Sequence, residues 1–420
     1  MEQSLRIKLS EMGKRAKSSA RSLARLTSHE KNEILKEIKA SLLKHREEII
    51  KANEKDLAHG REIGLSEGLM DRLMLDDKRV EAMAHSIDEV IHLKDPVGKI
   101  TEMNINDDGL QIGKKTVPIG VIAIIYEARP NVTLDAAILS LKASSAIILR
   151  GGKEAIHSNI AITKAMREAL VQCNQDPDTI QIIEDTSRES AKELMQLKGY
   201  VDLLVPRGSA SLIQTVVDQA KVPVLETGVG NCHIYIDESA KIEMALPIIE
   251  NAKTQRVGVC NAMETLLVHK NVGDEFYKKL NAIIDYYDIR VYGCEKTKEK
   301  LPGIQAAGKE EYEKEFLDYA FAMKIVEDFD EAIDHIYRYS SAHSEVIVTE
   351  NYENAMRFLD EVDSACVYVN ASSRFTDGFV FGFGAELGIS TQKLHARGPV
   401  GLSELVSTKY IILGHGQVRK

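Results

Sequence analysis

Val117-Pro118-Ile119-Gly120-Val121-Ile122-Ala123-Ile124-Ile125 is a nearly unbroken apolar run. Its length suits a strand, and its composition suits one buried on both faces, as in a parallel sheet. Beyond this run the pattern alternates. Residues 133–143 read as a helix, 146–149 as a strand, 154–173 as a helix and 180–183 as a strand. A helix near 187–197, a strand at 201–205, a helix at 209–220 and a strand at 222–225 complete the series. Alternation of this kind predicts a doubly wound, mostly parallel α/β sheet. A second series comes after it, with strands expected at 233–236, 265–269, 322–326, 346–348 and 366–369. Two such domains are therefore expected, meeting near Gly228-Val229-Gly230.

The segment before this run is different. Thr27 and Glu30 have capping-box spacing, and Leu35, Ile38, Leu42 and Ile49 recur at helical intervals. A second amphipathic helix carries Val80, Met83, Ile87 and Ile91 and stops before Asp95-Pro96. Ile105, Leu110 and Ile112 then flank Asp108-Gly109, a hairpin signal. Such a hairpin leaves strand edges for a partner to cover, and residues 408–413 read as one more strand that could pair with it. The expected division is 1–103 with 117–230 as one domain, 231–400 as a second whose C-terminal part could return to the first, and 104–116 with 402–415 as oligomerisation strands.

The chain has 420 residues, 44% hydrophobic and 28% charged, with a net charge of -10. That is enough apolar material for more than one core, and the charge disfavours nonspecific binding to nucleic acid or an anionic membrane. The apolar run at 117–126 is about half the ~20 residues a membrane span needs, and residues 1–25 lack a signal-peptide pattern. Five scattered cysteines (173, 232, 260, 294 and 366) form no CxxC pair, so neither a disulfide framework nor a zinc site is suggested. A reducing cytoplasm with free thiols is the natural reading.

Three loops can carry chemistry. Val205-Pro206-Arg207-Gly208-Ser209 passes from strand to helix and offers backbone N–H groups and a helix dipole to an anion such as a pyrophosphate. Arg150-Gly151-Gly152-Lys153 also comes after a strand, where open α/β sheets bind ligands; two cations there suit a phosphate and favour NADP(H) over NAD. It reads equally as a solvated basic turn. Cys260, in Arg256-Val257-Gly258-Val259-Cys260-Asn261, lies in a glycine-containing loop between a helix and a strand, whereas the other four cysteines read as small buried hydrophobes.

The motifs taken together resemble the aldehyde dehydrogenase superfamily: Glu226, then Cys260, then Glu315-Phe316, with Asn131 after Arg129-Pro130 and the Gly208-Ser209 turn. Longer strings narrow the resemblance to the branch that reduces an acyl phosphate in proline biosynthesis. They are Tyr126-Glu127-Ala128-Arg129-Pro130-Asn131-Val132-Thr133, Glu226-Thr227-Gly228-Val229-Gly230-Asn231-Cys232-His233 and Asn251-Ala252-Lys253-Thr254-Gln255-Arg256. Arg374-Phe375-Thr376-Asp377-Gly378 and the stretch Ser390-Thr391-Gln392-Lys393-Leu394-His395-Ala396-Arg397-Gly398-Pro399 complete the set. Val257 stands where that branch leads one to expect proline.

The resemblance implies NADPH-dependent reduction of L-glutamyl 5-phosphate to glutamate 5-semialdehyde and phosphate, through a thioester on Cys260. It gives Asn131 and the Cys260 N–H as oxyanion donors, and Glu226 as the residue that activates water in aldehyde-oxidising relatives. Arg150, Lys153, Gly208, Ser209, Glu315 and Phe316 are the implied cofactor contacts, and Arg256, Arg374, His395 and Arg397 the implied substrate cations. No metal is implied. A homo-oligomer is expected, and the labile acyl phosphate suggests transient contact with glutamate 5-kinase. Two other readings stay open: an aldehyde oxidiser that uses water as acceptor, and a non-catalytic binding protein on the same scaffold.

Overall fold

A computed structural model describes residues 2–419. The chain divides into two compact units, one made of Met1–Thr227, Gly382–Gly388 and Val400–Lys420, the other of Gly228–Phe381 and Ile389–Pro399. The first unit takes back Gly382–Gly388 from the range 231–400 assigned from sequence to the second domain, and it also holds Val400–Lys420.

The first unit is built on a four-stranded parallel sheet, ordered Ile180–Ile182, Ala146–Gly151, Val121–Tyr126, Leu203–Arg207. Every residue of the two central strands is buried, as their apolar composition requires. The run 117–125 is not one strand. Pro118 ends the antiparallel strand Gln111–Pro118, and the parallel strand begins only at Val121. Gly120 sits between them at φ 122°, a conformation open to glycine, while the Asp202 carboxylate accepts the Val121 N–H at 2.9 Å. Residues 222–225 likewise form no full strand: only a bridge from Val224 to Leu204 forms.

Helices cover the sheet. Thr27 and Glu30 close the expected capping box at the start of helix Ser28–Lys44, whose Leu35, Ile38 and Leu42 are buried. That helix and the next, Arg46–Glu62, pack on helix Ile156–Gln172. A separate three-stranded antiparallel sheet joins Ile100–Ile105, Gln111–Pro118 and Val406–Leu413. Its outer strands expose Ile100, Met103, Ile105, Tyr410, Ile412 and Leu413.

The second unit holds a seven-stranded parallel sheet. Its order is Gln305–Ala306, Arg290–Gly293, Ala320–Val326, Met263–His269, Cys232–Ile236, Ser344–Val348, Cys366–Val369. Strand 290–293 and the edge strand 305–306 beside it are short and carry few apolar residues, which hides them from pattern reading. The core packs Ile234, Leu266, Phe276, Phe321, Met323 and Val346 between this sheet and its helices. Among the described residues, no helix is long and apolar enough to cross a membrane.

Candidate active site

In the second unit, helix Ile242–Thr254 runs out at Gln255 and the chain turns through 256–262 before entering strand Met263–His269. Cys260 is half-buried in that turn. The turn is braced from below and from one side. Below it lies Gly230: a Cβ there would fall inside the Cys260 carbonyl group and 2.5 Å from its Cα, so only glycine fits. The buried Cys232 donates its S–H to the same carbonyl at 3.1 Å. Burial pushes the Cys232 thiol well above the ordinary thiol range, helped by the charges of Glu345 and Cys260. It therefore stays a hydrogen-bond donor and is no rival to Cys260 as nucleophile.

At the side, Asn261 ties the turn to residues 372–376. Its amide donates to the Thr376 carbonyl at 2.8 Å, and the Ser373 hydroxyl donates to its own carbonyl at 2.7 Å. This tie brings Arg374 to the turn. Its Nη1 donates to the Asn261 side chain and its Nε to Gln255 Oε1 at 3.0 Å, fixing the guanidinium to both ends of the turn. Burial lowers the Arg374 pKa, and the charge of Cys260 opposes that shift while the exposed Arg256 adds to it. A cation is thus within electrostatic reach of the thiol, the environment that favours a thiolate.

The other expected cations differ in availability. Both Nη atoms of Arg397 are used on Asp363, one on the carboxylate and one on the carbonyl, each at 2.7 Å. His395 is exposed at φ 71°. Glu315 accepts the Gly230 N–H at 2.8 Å, and Phe316 stacks on Tyr292 with ring centroids 5.3 Å apart.

The first unit carries the remaining expected residues. Asn131 stands exposed in the first turn of helix Pro130–Lys142, where it makes no cap; its amide donates to Asp135 at 3.0 Å. Loss of water around the Asp135 carboxyl raises its pKa to about 6, against the pull of Asn131 and Arg207. Just before this helix, Ala128 is held at φ 41° and its N–H is accepted by Glu154. Glu226 is half-buried.

At the Gly208-Ser209 turn, Ser209 caps helix Ala210–Gln219, and its N–H is donated to a Glu127 carboxylate oxygen at 2.8 Å. The Ser209 and Ser211 hydroxyls are exposed beside it, 3.1 Å apart. At the Arg150–Lys153 turn, Arg150 is buried and donates to the Thr186 and Ser187 carbonyls and to Ser190. Lys153 is the exposed cation there.

Four contributors escaped the sequence reading: Gly230 as the seat of the nucleophile, Asn261 as the tie, Asp135 behind Asn131, and a buried Lys253–Glu264 pair. The first and last lie in or beside strings already singled out. Glu264 carried a signal of its own, a carboxylate inside an apolar strand.

Parallel α/β units and a thiol braced beside a guanidinium define a thiol-dependent enzyme of acyl or aldehyde chemistry. The model of the aldehyde dehydrogenase family matches residues 5–295. A γ-glutamyl phosphate reductase of Caldanaerobacter subterraneus subsp. tengcongensis is 55% identical over 407 residues, 97% of this chain and 98% of that protein. One of Clostridium novyi is 52% identical over 96% of this chain and 97% of its own. The crystal structure of γ-glutamyl phosphate reductase from Thermotoga maritima superposes with a TM-score of 0.95 at 49% identity, covering 98% of this chain and 99% of that one. The chain belongs to the aldehyde dehydrogenase family and, within it, to the γ-glutamyl phosphate reductases, enzymes that work with a nicotinamide cofactor.

Proposed function

We propose that this protein reduces L-glutamyl 5-phosphate to L-glutamate 5-semialdehyde with NADPH, the second step of proline biosynthesis from glutamate, through a thioester on Cys260. The observation that carries the reading is the brace around that one cysteine: a glycine-only seat, an Asn261 tie and Arg374 held against the same turn.

The acyl phosphate is already activated, so the site needs a nucleophile more than an acid. Cys260, as thiolate beside Arg374, attacks the acyl carbon; the carbon–oxygen bond to phosphate breaks, and phosphate leaves with the electron pair. The Cys260 N–H holds the negative oxygen of the tetrahedral adduct, and the Asn131 amide is assigned the second donor role on the family resemblance. One Asn131 hydrogen goes to Asp135, which fixes the plane of the amide. When bound, the reduced nicotinamide supplies a hydride. Afterwards the same donors hold the oxyanion carried on Cys260, and its collapse releases the aldehyde and returns the thiolate.

Gly208, Ser209 and the first turn of helix Ala210–Gln219 suit the cofactor's pyrophosphate, and Lys153 a 2′-phosphate, which is the support for NADPH over NADH. Arg150 serves by fixing the 186–190 segment against its own strand, and Glu315 and Phe316 are assigned to the nicotinamide end. Arg256, Arg374 and His395 are the cations proposed for the substrate's phosphate and carboxylate, with Arg397 anchoring their loop through Asp363. Glu226 is assigned a proton transfer, since activating water would waste the thioester.

The exposed apolar sheet at Ile100–Ile105 and Val406–Leu413 supports a homo-oligomer. The free thiols support a cytoplasmic location. The labile intermediate supports transient contact with glutamate 5-kinase.

The test is the reverse reaction, glutamate 5-semialdehyde with NADP+, followed by cofactor absorbance with and without inorganic phosphate. Reduction that depends on phosphate and is lost in Cys260→Ala supports the reading. Equal rates without phosphate would make water the acceptor and overturn it.

A further inference from the structure

Lys253 and Glu264 flank the Cys260 turn, one in the last turn of helix Ile242–Thr254 and the other in strand Met263–His269. Both are completely buried, and Lys253 Nζ lies 2.9 Å from Glu264 Oε2. Burying two opposite charges costs desolvation that their attraction scarcely offsets, and an apolar pair of similar size would serve the core as well. Stability therefore does not account for them.

What accounts for them is where the carboxylate points. Glu264 Oε2 accepts the Phe316 N–H at 3.2 Å, and Oε1 the Leu317 N–H at 3.3 Å. Leu317 is left-handed, at φ 54°, so the chain bends sharply here, and the two N–H groups turn inward onto one carboxylate. On the near side of the bend, Glu315 accepts the Gly230 N–H, and Gly230 is the seat of Cys260. Cys260, Gly230, Glu315, Phe316, Glu264 and Lys253 thus form one closed circuit within the second unit.

We propose that Lys253 and Glu264 are positioning residues: Glu264, kept in place by Lys253, sets the Glu315–Phe316 bend that receives the nicotinamide end of the cofactor. This rests on the assignment of Glu315 and Phe316 made above. Burial pushes the Glu264 pKa up and the Lys253 pKa down, so each needs the other to stay charged, and a change at either is felt at the bend.

The experiment titrates NADPH fluorescence against the wild type, Glu264→Gln, the charge-free double variant Lys253→Met with Glu264→Gln, and Phe316→Ala. Cys260 alkylation by iodoacetamide is measured alongside. The double variant leaves no unpaired buried charge and covers the case in which Glu264→Gln alone fails to fold. The expected result is a Kd for NADPH raised about tenfold in Glu264→Gln and in the double variant, with alkylation rates kept within about twofold of wild type. A purely structural pair would lower melting temperature and leave Kd unchanged in the folded protein. If Phe316→Ala weakens binding and the Glu264 variants do not, the positioning role of the pair is refuted alone. If Phe316→Ala also leaves Kd unchanged, the assignment of that bend to the cofactor fails and the positioning role falls with it.

Discussion

Gly230→Ala introduces one methyl group beneath the nucleophile. The added Cβ would lie 2.5 Å from the Cys260 Cα and overlap its carbonyl, where carbon atoms normally keep about 3.5–4.0 Å. One of the two backbones must therefore move by at least about 1 Å. Gly230 is held by Glu315 through its N–H, and its neighbour Asn231 donates to the Tyr312 and Tyr339 carbonyls and to Ser341, so the Cys260 turn gives way. A misplacement of about 1 Å at a reacting group costs about 10²-fold, or about 2.7 kcal/mol of transition-state stabilisation. Initial rates of phosphate-dependent NADP+ reduction should show that loss in kcat/KM, with most of it in kcat and only a small change in melting temperature. Activity within about threefold of wild type, with Cys260 alkylated at its normal rate, would refute the claim that the seat positions the nucleophile.

Arg374→Met removes a cation held against the Cys260 turn, so the thiolate loses support; iodoacetamide alkylation against pH should shift its midpoint up by about one unit and fall about tenfold at neutral pH. His335 is held at about 2 against an ordinary 6.5, first by burial and then by His233, so below 6.5 the unfolded chain binds a proton that the folded one refuses. Stability from this group is complete above neutrality and falls as pH drops, by about 2 kcal/mol at pH 5; His335→Phe should flatten that loss in urea midpoints compared at pH 5 and pH 7.5. Thr27→Ala opens the capping box of helix Ser28–Lys44 and should cost about 1 kcal/mol of stability in the same assay, with kcat unchanged.

The parallel strands were legible because burial on both faces leaves them little but Val, Ile, Leu and Ala. The same feature misled at 117–125, where two strands of different sheets share one apolar run and only Gly120 marks the break. Strands Arg290–Gly293 and Gln305–Ala306 were illegible because they are only four and two residues long, too short for a pattern, and Arg290 and both residues of the second are exposed. Strand Val406–Leu413 was legible as a partner of the hairpin, whereas the return of Gly382–Gly388 to the first unit is a matter of tertiary contact whose bounds no local pattern encodes. At the site, Cys260 and Asn131 were legible as members of long strings. Two of their supports were not, because Asn261 and Glu264 act through partners distant in sequence, Arg374 with residues 372–376 and the bend at 316–317, whereas Asp135 stands at the i,i+4 helical spacing from Asn131 and was within reach of pattern reading. Arg150 shows the converse, a residue whose position suggested a phosphate contact and whose guanidinium is occupied by the Thr186 and Ser187 carbonyls.

The most direct test of the central claim, a thioester on Cys260, is pre-steady-state: glutamate 5-semialdehyde and NADP+ are mixed with the enzyme without phosphate, and reduced cofactor is followed in a stopped flow. The account predicts a burst of about one reduced cofactor per subunit, then a stall, with turnover resuming when phosphate is added and no burst in Cys260→Ala. Steady turnover without phosphate, or a burst that survives in Cys260→Ala, would contradict it.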